Sequence, residues 1–88
     1  MTLEGLVGKN VVVDLRSPFV CIGLLESFDE LHFLMRDADF HDMRDSESTR
    51  ENYVAATRIT GIKRNRKRVL VVRADVVAMA RLEDVVDE

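Results

Sequence analysis

One strand-like segment constrains the fold of this chain more than any other: residues 19–28, FVCIGLLESF. Its β-branched and aromatic side chains favour extended structure, but ten residues are long for one strand in a small domain. Gly23 stands in the middle, where a missing side chain permits a sharp bend or a close approach of another strand. We therefore predict a strongly bent strand, as a small barrel requires.

Four further segments are rich in β-branched and other apolar side chains and predict strands at 11–15, 31–40, 69–73 and 76–82. Thr2 is suited to cap a short N-terminal helix, because its hydroxyl can accept a backbone N–H of the first turn. Five strands and this helix in 88 residues predict a single mainly β domain, built as a small, strongly curved barrel. Such a barrel leaves two strand edges open, which is a liability unless other strands pair with them.

An insertion at about 42–66 separates the third and fourth predicted strands. Residues 48–51 (STRE) match a capping box. They predict a helix over 49–59 that packs through Tyr53 and Ala56. The β-branched residues of the same stretch leave a strand as the alternative.

Charge is distributed unevenly along the chain. Residues 58–73 hold seven basic side chains and no acidic one, whereas the flanking segments 1–57 and 74–88 are acidic, and the formal net charge is -3. Five of these cations form a basic segment at 63–68, consisting of Lys63, Arg64, Arg66, Lys67 and Arg68. Such a local excess can contact RNA phosphates. The alternative is a solvated connector that pairs with the acidic tail 83–88 or an acidic loop.

Composition and missing motifs exclude several classes of protein. The single cysteine, Cys21, excludes an intrachain disulfide and any zinc site with several cysteines, and it is expected in the core. No apolar run reaches the ~18 residues of a membrane span, and no signal-peptide pattern is visible, so we expect a cytoplasmic protein. We find no nucleophile elbow and no phosphate-binding glycine loop, and we expect neither enzymatic activity nor a cofactor.

Two motifs resemble those of the Sm-like (LSm) protein family and suggest a divergent, bacterial-type member. Residues 23–29 (GLLESFD) have the form of its first motif, with glycine, leucine, an apolar residue and aspartate at fixed spacing. Residues 72–77 (VRADVV) are similar to its second motif, in which an apolar residue, arginine and glycine precede a polar residue and the last strand. Two positions depart from the family: Ala74 stands where it usually has glycine, and His32 stands where its first motif usually has asparagine.

The resemblance implies an SH3-like Sm-fold barrel that assembles into a homo-oligomeric ring. In this family the fourth strand of one subunit pairs with the fifth strand of the next, and the inner rim commonly binds single-stranded, uridine-rich RNA. It also implies that Arg73 flanks a bound base, a role suited to a planar guanidinium, and we expect His32 and Asp75 to contact the RNA as well. Pairing of Arg73 with Asp75 or with a neighbour's acid is the alternative, and His32 could instead be a solvent-facing turn residue.

Other polar residues are expected to be structural. Asp29 would repel phosphate, so its carboxylate is better suited to accept backbone N–H groups in the turn after the second strand. Asp37, Asp39 and His41 alternate, and they would share one face if the strand continued through them. Carboxylates and an imidazole can hold a divalent cation, which would make the protein a metal-dependent enzyme. We expect the simpler case, a polar strand end without a metal.

The leading hypothesis is therefore a ring-forming protein that binds single-stranded RNA at its inner rim. An oligomeric scaffold that binds proteins and not RNA is the alternative. The acidic flanks favour the scaffold, because acidic surface repels nucleic acid.

Overall fold

The computed structural model describes residues 1–45 and 47–86. Within these residues the chain forms one five-stranded sheet and two α-helices: α1 Leu3–Leu6, β1 Asn10–Leu15, β2 Phe19–Phe28, β3 His32–Asp42, α2 Arg50–Thr60, β4 Arg66–Val72 and β5 Val76–Arg81. Single 3-10 turns follow β3, β4 and β5 at Met43–Asp45, Arg73–Asp75 and Leu82–Asp84. The predicted mainly β protein with five strands is confirmed. No helix in the described part of the chain is long and apolar enough to cross a lipid bilayer.

The sheet is antiparallel throughout, with the strand order β4-β3-β2-β1-β5. β2 is central and pairs on one side with β1 and on the other with β3. β4 pairs only with β3, and β5 only with β1, among the described residues. The last two strands in the sequence, β4 and β5, therefore provide the two edges of the sheet.

The long strand β2 changes register against β3 at Gly23, between Ile22 and Leu24. A Cβ atom at position 23 would lie only 2.6 Å from the Cβ of Ala38, so the backbones come together there because glycine has no side chain. Opposite this point, Asp37 has a φ of 50°, which interrupts the regular pleat of β3. The bulge lets both strands bend at the same place.

Two apolar clusters lie on the two faces of the sheet. The larger cluster is built from β1–β4 together with Leu6 of α1. It includes Cys21, which is fully buried. This burial is the largest of the effects that raise the pKa of the Cys21 thiol to about 12. The smaller cluster seats α2 on the other face and contains Val12, Val20, Ile22 and Val54.

Helix α2 occupies the insertion as predicted, and of its two predicted packing residues Tyr53 contacts the smaller cluster but Ala56 does not. It begins at Arg50, and Thr49 caps it by accepting the Asn52 N–H at 3.2 Å. Val54 and Thr57 are buried and Tyr53 is half-buried, whereas Ala56 is exposed. The prediction of packing through Ala56 was wrong, because Val54 fills the smaller cluster and thereby fixes the rotation of the helix.

Candidate functional site

The hairpin turn between β2 and β3 is held by one carboxylate. Oδ1 of Asp29 accepts the backbone N–H of Leu31 at 2.8 Å and that of His32 at 2.7 Å. These two hydrogen bonds are the main cause that lowers the pKa of Asp29 from its ordinary value, because they favour the ionised form. Asp29 thus fixes the turn on which His32 stands.

Arg73 closes the same turn from the end of β4. Its backbone N–H donates to the Leu31 carbonyl at 2.9 Å, and its Nη1 donates to the Asp29 carbonyl at 2.5 Å. The guanidinium carbon lies 5.0 Å from the centroid of the Phe33 ring and 5.9 Å from that of Phe28. Cation–π attraction operates at this range, so the guanidinium has an aromatic support as well as a hydrogen bond.

Arg73 and His32, which are distant in sequence, line one shallow depression beside β4. The residues around it are Glu30, Leu31, His32, Val72, Arg73 and Ala74. Leu31 is 68% exposed, and the His32 Nδ1 lies 3.8 Å from Oδ1 of Asp29. The depression therefore combines an apolar surface with an imidazole and a guanidinium, which are groups that stack on bases and hydrogen-bond to them.

Asp75 lies in the 3-10 turn that follows β4, and its side chain is exposed. Its backbone carbonyl accepts the Arg16 N–H at 2.8 Å, and the Ala74 carbonyl accepts the Arg16 Nε at 3.1 Å. Among the residues that the structure describes, Arg73 and Asp75 do not form an ion pair. The contacts of Arg73 are therefore those with the hairpin turn.

The departure from glycine at position 74 is compatible with this turn. Asp37 is the one non-glycine residue with a positive φ among the described residues. Ala74 therefore does not adopt the left-handed conformation that would favour glycine, and an alanine fits without backbone strain.

The basic segment 63–68 lies away from this depression. Its last three residues belong to β4 and are not a connector, so Arg66 stands at the opposite end of the strand from Val72. Seven residues of extended chain place the two ends about 20 Å apart. The structure therefore does not bring the basic segment together with Arg73.

The contacts of the basic segment also differ from the predicted alternative. Arg68 Nε lies 3.6 Å from Glu26 of β2, and Arg66 Nη1 donates to the Asn65 carbonyl at 3.1 Å. In the described part of the tail, Glu83 and Asp84 pair with Arg81 instead. Within one copy, pairing of the basic segment with those tail residues is not observed, and Asp87 and Glu88 lie outside the described residues.

The three residues considered as alternative metal ligands, Asp37, Asp39 and His41, are not assembled into a cation site. Asp37 pairs with Arg36 at 3.8 Å, and its positive φ ends the alternation that would have aligned it with the others. Asp39 is 3% exposed, and its carboxylate accepts hydrogen bonds from the Tyr53 hydroxyl and from Asn65 Nδ2. No group of three His, Cys, Asp or Glu side chains that could hold a metal ion occurs among the residues that the structure describes.

Asp39, Tyr53 and Asn65 instead form a partly buried hydrogen-bond network that attaches the insertion to the sheet. Asn65 also accepts the Phe40 N–H at 2.9 Å and donates to the Phe40 carbonyl at 3.1 Å. The His41 ring stacks on Tyr53 with 4.5 Å between centroids. Burial and the hydrogen bond to Asp39 raise the pKa of Tyr53, so its hydroxyl stays protonated and continues to donate.

Sequence reasoning missed the aromatic support of Arg73 and the role of Asn65. Phe28 and Phe33 are directly paired across β2 and β3, and they flank the turn at equal distances. That symmetric spacing around a turn was the available signal. Asn65 lies inside the basic segment, where neither spacing nor charge distinguishes it.

No known protein family and no curated protein sequence matches this chain. The geometry of the depression and of the two sheet edges is therefore the basis of the functional proposal.

Proposed function

We propose that this chain is an Sm-like protein that forms a homo-oligomeric ring and binds single-stranded RNA, without catalysing a reaction. In this proposal the sheet is an SH3-like barrel, and β4 of one copy pairs with β5 of the next. The RNA site is the depression that contains Arg73 and His32. The observation that carries the proposal is the guanidinium of Arg73, held against Phe33 and the Asp29 carbonyl beside His32.

The two open edges support assembly between copies. The outer backbone groups of β4 and β5 meet no other described strand, and an added strand would satisfy them. Leu70 on β4 is 60% exposed and Val77 on β5 is 67% exposed, and strand addition would cover part of this apolar surface. Because the paired edges differ, the contact is head-to-tail, and it closes into a ring when the rotation between copies permits.

The composition of the depression supports RNA as its ligand. Single-stranded RNA exposes unstacked bases, which proteins bind by stacking on planar side chains and by hydrogen bonds to base edges. Arg73 offers a plane and N–H donors, while His32 offers a second ring at the same turn. A ring would repeat this depression once per copy, and several weak contacts with one strand would add up to a useful affinity.

Fluorescence anisotropy with labelled oligo-U and oligo-A tests the RNA site. We expect Arg73→Ala to raise the dissociation constant about tenfold or more, since stacking contributes about 1–3 kcal/mol per base and 1.4 kcal/mol is a factor of ten. Arg73→Lys keeps the charge but loses the plane, and it should resemble Arg73→Ala. Arg44→Ala removes an equal charge from an exposed residue beside Asp42 and should change the dissociation constant less than about twofold.

Three outcomes would count against this site. The wild type could fail to bind either oligonucleotide at low salt, Arg73→Ala could bind as the wild type does, or Arg44→Ala could weaken binding equally. An oligomer without salt-dependent RNA affinity would favour the alternative function, a scaffold that binds proteins.

A further inference from the structure

The two sheet edges carry opposite charges at the ends that strand pairing would bring together. β4 starts within the basic segment, whereas β5 is followed by Glu83 and Asp84. We propose that the basic segment of one copy docks on the acidic residues after β5 of the next copy, so that charge fixes the partner and the direction of pairing. This inference rests on the proposed pairing of β4 with β5 and specifies its chemistry.

The cations at the start of β4 are available for a partner. Lys63, Arg64 and Lys67 are exposed, and none of them makes an ion pair with a described residue. Arg66 is exposed as well, and among the described residues the one hydrogen bond of its side chain goes to the Asn65 backbone carbonyl. Arg68 has a carboxylate partner, Glu26, at 3.6 Å, but its side chain is still 62% exposed.

The residues after β5 retain an acidic excess. Arg81 lies 3.2 Å from a Glu83 oxygen and 2.9 Å from an Asp84 oxygen, so one guanidinium serves two carboxylates. The Glu83 side chain is 69% exposed and that of Asp84 is 48% exposed. A carboxylate has about four lone-pair sites, and both groups can therefore accept further donors from a neighbouring copy.

Antiparallel pairing is the arrangement in which these charges meet. It aligns the start of β4 with the end of β5, so that Arg66 and Lys67 approach Arg81 and the turn after it, where the carboxylates of Glu83 and Asp84 outnumber the one guanidinium of Arg81. Parallel pairing would place the same cations beside Val76 and leave the acidic end next to Val72. Every strand pair in the sheet is already antiparallel, so the addition continues the existing pattern while it neutralises charge.

Charge reversal at each end provides the test. The basic-end variant carries Arg66→Glu and Lys67→Glu, and the acidic-end variant carries Glu83→Lys and Asp84→Lys. Each variant alone would place like charges across every interface. An equimolar mixture would have opposite charges at both kinds of interface, provided that the copies alternate. Glu47→Lys, in the exposed loop before α2, is the control for a changed net charge.

Sedimentation velocity at about 0.1 M and about 1 M salt measures the assembly, and circular dichroism confirms that each variant is folded. At 0.1 M, where screening extends over about 10 Å, we expect each variant alone to dissociate at least tenfold more readily than the wild type. The mixture should assemble again, and to the mass of the wild type where the ring has an even number of copies. At 1 M salt, the difference between the variants and the wild type should become smaller.

The outcomes separate this inference from the ring itself. If the wild type assembles and each variant alone assembles as well as Glu47→Lys, the charge pairing is refuted and the ring stands. The charge pairing is also refuted, and the ring stands, if the folded variants fail to assemble even when they are mixed. In the mixture, opposite charges would face each other again and should restore the contact between copies. A wild type that is monomeric at both salt concentrations refutes the ring and this inference together.

Discussion

The substitution Gly23→Ala should destabilise the fold strongly, because a Cβ atom there would collide with β3. That atom would lie 2.6 Å from the Cβ and 2.8 Å from the Cα of Ala38, and 3.1 Å from the Arg36 carbonyl oxygen. Two of the three are backbone atoms, which no side-chain rotation can move. Carbon atoms pack at about 3.5–4.0 Å, so the two strands would have to separate locally by about 1 Å.

The cost can be estimated from overpacking. Extra methylenes forced into a packed core cost about 1–3 kcal/mol, occasionally more, and a clash with backbone belongs at the upper end of that range. A domain of this size has a free energy of unfolding of roughly 4–13 kcal/mol. A loss of about 3 kcal/mol therefore removes a large share of it and lowers the melting temperature by roughly 12–24 °C.

Urea unfolding followed by circular dichroism, at one fixed protein concentration, measures the effect. Gly5→Ala is the matched control, because its Cβ would approach only the Thr2 hydroxyl, at 3.4 Å. Ala38→Gly in the Gly23→Ala background removes the nearer clash but leaves the Ala38 Cα, so it should restore stability only in part. A loss below about 0.5 kcal/mol for Gly23→Ala, or full rescue by the second change, would refute the reasoning.

Three further predictions concern individual titratable groups. Tyr53→Phe leaves the buried Asp39 without one of its donors and should cost about 1–3 kcal/mol. The pKa of Tyr53 is raised in the folded state, so the contribution of Tyr53 to stability should be complete below about pH 10 and be lost above it. Because the raised pKa of Cys21 lowers stability over the same pH range in both proteins, urea midpoints should fall more between pH 9 and 11 in the wild type than in Tyr53→Phe. The pKa of Asp29 is lowered, so its contribution is present above about pH 4 and lost as the pH falls through the folded pKa. Asp29→Asn should therefore unfold at lower urea than the wild type at pH 7, and an equal gap near pH 2 would contradict this. The pKa of the Cys21 thiol is about 12, so a thiol reagent at neutral pH should label it only as fast as the protein unfolds; rapid labelling of the native protein would contradict its burial.

Local sequence signals predicted the elements of this fold well. Most strand positions follow from runs of β-branched residues, and helix α2 follows from its cap, since both are properties of neighbours in the chain. The start of β4 at Arg66 does not, because its first three residues are cations. The face that α2 buries could not be predicted in this way. Its rotation depends on Val54 meeting Val12 and Ile22 and on Tyr53 reaching Asp39, and these contacts join residues that are remote in sequence.

The candidate site shows the same division between local and long-range causes. The role of Asp29 as an acceptor in its own turn was predicted from turn chemistry, and the contacts with Leu31 and His32 have that form. The support of Arg73 by Phe33 was not foreseen, because it requires the end of β4 to lie beside the β2–β3 turn. A shared face for Asp37, Asp39 and His41 was expected only if a regular strand continued through them, and the positive φ at Asp37 interrupts that regularity.

The edge strand β4 connects the two proposals because its two ends carry different chemistry. Its start presents Arg66 and Lys67, and its end leads into Arg73, which is fixed by the hairpin turn. About 20 Å separates these ends, which exceeds the screening distance of about 10 Å at 0.1 M salt. Charge reversal at the start of β4 therefore leaves the field at the depression nearly unchanged. A loss of RNA binding in the basic-end variant that recovers on mixing would then reflect the loss of neighbouring copies and not of a phosphate contact.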